Sequence, residues 1–166
     1  MNLLSNTKAW VNGEVLQGKI MVAIGILVLI AFIAVMRSQQ PFLKGMLIPM
    51  GLLLVVTLGY GGFQIFGRPA HLMKVEQVYQ DDPKNAQSME YKKAVKDDKA
   101  YTTAKKVWPF LIVFSALCCY ILVSPYLKGL SAGLIGLFLT TLIVDTILHH
   151  RLLVYLEYLS KQQGNL

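Results

Sequence analysis

The chain is 166 residues long, 55% hydrophobic and only 15% charged, with a mean hydropathy of +0.52. A soluble domain of this length breaks its apolar segments into strands or half-polar helices, whereas here uncharged runs of helix length recur four times, which excludes an ordinary soluble fold. The formal net charge of +7 comes from sixteen Lys and Arg that flank the apolar runs rather than forming one basic arm, which argues for membrane orientation and against nucleic acid.

The first apolar run, residues 20–36, ends at Arg37 and is just long enough to cross a hydrocarbon layer of ~30 Å at about 1.5 Å per residue. It is preceded by nineteen residues with two lysines and followed by no small-residue cleavage site, so it reads as a retained span. The second run covers 45–67, with Pro49 in its first turns, where a missing N–H costs least. The third covers 107–127 and the fourth 129–149. Helices are the form that satisfies their backbone in lipid, so the fold class is all-α: a polytopic membrane protein with four transmembrane helices.

Between the second and third runs, residues 68–106 form a mixed-charge segment with nine basic and six acidic side chains. Gly67-Arg68-Pro69 reads as a breaker, and 72–80 as a short helix after it. Asp82-Pro83 reads as an N-cap with proline at the first helical position, and no Gly or Pro interrupts 84–106, which predicts a helix leading into the third span. Thirteen of the sixteen basic residues lie in the N-terminal segment, this loop and the C-terminal tail, against Arg37, Lys44 and Lys128 in the two short hairpins. That bias predicts cytoplasmic termini, with a bacterial inner membrane as the location.

An internal repeat is the most specific pattern. Pro41-Phe42-Leu43-Lys44-Gly45 is matched 84 residues later by Pro125-Tyr126-Leu127-Lys128-Gly129. The repeat units run from 20 to 80 and from 104 to 162, each a hairpin of two spans, so the spans form two repeated helical hairpins joined by the cytoplasmic helical segment. Such copies share one orientation about an axis along the membrane normal.

Asp145 is the one acidic residue inside an apolar run, and an ionisable group there is a candidate site because a partner or water must offset its desolvation. Thr141 and His149 lie one turn to either side, while Thr57, Tyr60 and Gln64 form a similar stripe on the second span. Together they outline a polar path for protons, a small cation or a polar headgroup. Opposing this, Asp145 stands near the inner end of its span, where it reaches interfacial water and pairs with His149 or Arg151. Gly129, Ala132, Gly133 and Gly136 have the spacing of a helix-packing surface. Cys118 and Cys119 lie mid-span among apolar neighbours and read as packing residues.

The sequence holds no nucleotide-binding glycine loop, no nucleophile with a base, and no histidine pair at ligand spacing; neither a catalytic residue, a metal nor a cofactor is expected. The leading expectation is a non-enzymatic membrane subunit acting through protein–protein association, its partners being the lipid bilayer and another membrane protein or a second copy of itself. The alternatives are a small channel or transporter along the Asp145 path, and an enzyme acting on lipid or quinone around His71, Asp145, His149 and His150.

Overall fold

A computed structural model describes residues 3–163, all of them helical apart from two short connections and one residue between helices. Helix α1 runs Leu3–Met36, α2 Pro41–Leu54, α3 Gly61–Asp81, α4 Pro83–Ile121 and α5 Pro125–Gln163. A π-helical turn, Val55–Tyr60, joins α2 to α3 without a break. Four helical rods result, each long and apolar enough to cross a membrane, and the chain is a membrane helical bundle. At about 1.5 Å per residue the 39 residues of α4 reach ~58 Å, well beyond the hydrocarbon layer.

Prolines start helices here rather than ending them. Pro41 and Pro125 each occupy the first helical position, where the absent N–H has no intrahelical partner to lose. The third apolar run therefore ends as a helix at Ile121, and the fourth helix begins at Pro125 instead of Gly129. Asp82 caps α4 as its sequence predicts, its carboxylate accepting from the N–H groups of Lys84 at 3.0 Å and Asn85 at 3.1 Å.

The expected break at Gly67-Arg68-Pro69 does not occur: α3 continues through Pro69 to Asp81. Tertiary contacts on Arg68, described below, hold this turn in helical register while Pro69 costs one backbone bond. The irregularity falls earlier, at Val55–Tyr60. There Thr57 Oγ1 donates back to the Leu53 carbonyl at 2.8 Å, and such competition with the backbone ladder favours a widened turn.

α5 is the central rod, packed against α2 on one side and α4 on the other, while α1 packs on α2 and α3. Close glycine approaches make these contacts. A Cβ on Gly129 would collide with the Phe42 backbone and one on Gly45 with the Tyr126 backbone; Gly133 sits against the Pro49 ring. Gly18 and Gly61 bring α1 against α3 in the same way, each facing the other's carbonyl. Gly136, by contrast, is exposed with open space beside it, and Ala132 is half-buried.

Candidate functional site

The start of α1, the end of α5 and the α3–α4 elbow lie at one pole of the bundle, and there the four rods exchange polar side chains. The buried stripe of α1 in that region is Thr7, Trp10, Glu14 and Gln17, recurring at helical spacing and continuing into Met21 and Gly25 of the apolar segment. Glu14, only 1% exposed, pairs with Arg68 of α3 at 3.1 Å, and Gln64 Nε2 points to the same carboxylate at 3.5 Å. Burial pushes the Glu14 carboxyl above its ordinary value despite the lowering charges of Arg68, Arg151 and Lys93.

One turn further from the spans, Glu90 of α4 is the hub. His71 Nε2 lies 3.0 Å from one of its oxygens, and the Tyr155 hydroxyl of α5 donates to the other at 3.0 Å. Thr7 Oγ1 stands 2.7 Å from that hydroxyl, so α1, α3, α4 and α5 are tied through a single carboxylate. Burial acts to raise the Glu90 carboxyl, but His71, Lys93 and Tyr155 together outweigh it and hold it below the ordinary range. Burial, and then the neighbouring Glu90 charge, push the Tyr155 hydroxyl up, so it stays protonated and serves as a donor.

Trp10 lies at the middle of this layer. Tyr155 stacks on it with ring centroids 5.1 Å apart, and the Arg68 guanidinium and Lys93 ammonium lie 4.8 and 5.0 Å from its centroid. Cations against an indole that is shielded from water interact more strongly than at an exposed site. Its indole N–H is buried with no hydrogen-bond acceptor among the described residues.

A second polar seam runs between α4 and α5. His149 Nε2 is 2.7 Å from Asp98 Oδ1 and its Nδ1 is 3.1 Å from Lys105 Nζ, while Tyr101 stacks on the imidazole at 5.7 Å. Lys105 can only donate, so in this contact the Nδ1 side of the ring serves as the acceptor and the Nε2 side faces Asp98. Burial, then Tyr60 beside it, pushes the Tyr101 hydroxyl up. A turn and more toward the membrane, Trp108 Nε1 donates to Asp145 Oδ2 at 2.7 Å.

The residues singled out in the sequence are thus divided. Asp145 and His149 belong to the α4–α5 seam, and the Thr141 hydroxyl bonds back to the carbonyls of Leu137 and Phe138 on its own helix. Thr57 and Gln64 are buried toward α1, against Gly25 and Gly18. Thr57 and Gln64 thus contact α1 and Asp145 and His149 contact α4, while the Tyr60 hydroxyl between Thr57 and Gln64 stands 3.4 Å from that of Tyr101, the ring stacked on His149. His150 is exposed and its neighbour His149 buried, the two side chains pointing about 100° apart around the helix. Among the described residues no group of three His, Cys, Asp or Glu is placed to hold a metal ion.

Glu14, Arg68, Glu90 and Tyr155 were not singled out in the sequence. The available signal was phase: Thr7, Trp10, Glu14 and Gln17 fall on the same face of α1 as Gly18 and Gly25, so a polar stripe there faces the bundle. Compared with protein families, curated proteins and solved structures, the chain matches none of them.

Proposed function

We propose that the chain is a non-enzymatic helical subunit of a bacterial inner membrane that works by associating with another membrane protein or with a second copy of itself. Both termini and the α3–α4 elbow lie in the cytoplasm in this reading, because the basic residues concentrate at that pole. The two hairpins are copies of one unit. Reciprocity at the α2–α5 contact supports this: Gly45 meets Tyr126 as Gly129 meets Phe42, and each pair is related to the other by the 84-residue offset.

The observation that carries the association reading is the outer side of α4. That helix packs against α5 and, at the terminal pole, against α3, leaving Phe110, Val113, Phe114, Leu117 and Tyr120 outward on one stripe. These positions recur at the three- and four-residue spacing of a helix-packing surface, and exposures run from 54% at Leu117 to 88% at Tyr120. At the terminal pole Glu14, Glu90 and Asp98 are meanwhile paired with Arg68, His71 and His149 inside the chain, and these pairs fix the helices that present this stripe.

Photo-crosslinkers placed at Phe114 and Leu117 in native membranes test the reading, with Leu27 and Ile30, similarly exposed apolar positions on α1, as controls. Discrete adducts at 114 and 117 and none at 27 and 30 are expected. Equal labelling at all four, together with a monomer in mild detergent, removes the association reading.

A further inference from the structure

On the outward side of the polar layer the terminal halves of α1 and α5 stand apart and leave a groove of about 400 Å³, walled by Trp10 and Gly13 of α1 and His150, Arg151, Val154 and Tyr155 of α5. That volume lies in the range of small-molecule sites. No Asp or Glu contributes to the wall, whereas Arg151 and His150 do. Arg151 is anchored by one guanidinium nitrogen to the Gly13 carbonyl, and among the described residues it forms no ion pair. Glu14, whose carboxyl feels the charge of Arg151, is bonded to Arg68 instead. The groove is therefore cationic, aromatic on one side, and bordered by an indole N–H that has no acceptor.

Its position along the rods narrows the ligand. His150 directly follows the last apolar run, and Gly13 precedes the first by seven residues, about 10 Å of helix, so the groove opens at headgroup depth. The same faces continue into the membrane as exposed apolar stripes, Leu16 and Ile20 above Gly13 on α1, and Ile147 and Ile143 above Arg151 on α5. Two hydrocarbon tracks thus lead into one cationic groove.

We infer that this groove binds one anionic glycerophospholipid, its phosphate held by Arg151 with His150, its glycerol esters against Trp10 and Tyr155, and its acyl chains along Leu16/Ile20 and Ile143/Ile147. The lipid fixes the gap between α1 and α5 at the level of the polar layer. Its binding is separate from the association surface on α4, so either property stands without the other.

Native mass spectrometry of the full chain in detergent, with an equimolar mixture of phosphatidylglycerol and phosphatidylcholine of identical acyl chains, tests the site. One phosphatidylglycerol is retained selectively by the unaltered protein. Arg151→Gln lowers the phosphatidylglycerol-to-phosphatidylcholine ratio about fivefold, the effect of one basic residue at an anionic surface, and Val154→Trp, which fills the groove without altering its charge, removes the lipid. Equal retention of the two lipids by the unaltered protein overturns the inference, and that comparison needs no variant to fold. Unchanged retention by variants with native helical spectra overturns it as well. Displacement of the lipid by inorganic phosphate would mark a free-anion site, and the lipid assignment would be withdrawn.

Discussion

Gly129 of α5 lies directly against the backbone of Phe42 at the start of α2, so close that a methyl group there has no room. The obstacle is main chain at a helix terminus, which cannot rotate away as a side chain can. Gly129→Ala therefore forces the α2–α5 pair apart at the loop pole, and a cost of ~1–3 kcal/mol is expected, the usual penalty for overpacking. Gly136 supplies the control: nothing stands within 4 Å of its added Cβ, and alanine's better helix propensity makes Gly136→Ala neutral or stabilising by up to ~1 kcal/mol. Thermal unfolding of the two variants in one detergent decides, and equal losses would contradict the packing described.

Tyr155→Phe removes the hydroxyl that donates to Glu90 and faces Thr7. The ring and its stack on Trp10 are kept, so the change isolates the polar term. A loss of ~1–3 kcal/mol is expected from leaving buried partners unsatisfied, measured by thermal or denaturant unfolding in detergent. No change would mean that water replaces the hydroxyl.

Glu90 also carries a pH signature. Its carboxyl is held below the ordinary value of 4.5 in the folded protein, so its ionised form contributes stability that is present above about pH 4.5 and is lost as pH falls through the lowered folded value. Glu14 has the opposite sign: its carboxyl is raised, so its contribution is present below 4.5 and lost as pH rises through the higher folded value. Glu90→Gln is expected to flatten the acid limb of the stability profile. Steeper acid loss in that variant would reverse the assignment.

Much of the fold was legible because hydropathy, proline and capping signals are local. Four apolar runs became four rods, and Asp82-Pro83 opened α4, since each depends on residues within a turn or two. Gly67-Arg68-Pro69 misled for the converse reason: whether Pro69 breaks a helix depends on what holds Arg68, and Glu14 lies 54 residues away. The polar layer was hidden in the same way. Glu90 looked like one of six acids on a solvated loop, and only the convergence of His71 and Tyr155 from two other helices makes it a hub. Asp145 was legible as unusual, but its partner Trp108 lies 37 residues away on another helix, beyond the reach of any local signal.

The Trp108–Asp145 contact gives the last prediction. The indole donates to the carboxylate at 2.7 Å on a seam between α4 and α5, and Trp108 also stacks on Phe138 at 5.9 Å. Asp145→Asn keeps an acceptor oxygen in place and removes the charge, whereas Asp145→Leu removes both. If the carboxylate serves mainly to receive the indole N–H, asparagine keeps near-native stability and leucine loses ~1–3 kcal/mol, because the donor is then left unsatisfied. Trp108→Phe in the Asp145→Leu background should recover part of that loss, since the orphaned donor is gone. If asparagine proves as damaging as leucine in thermal unfolding, the charge of Asp145 matters for more than the indole, and its coupling to His149 one turn away becomes the next pair to dissect.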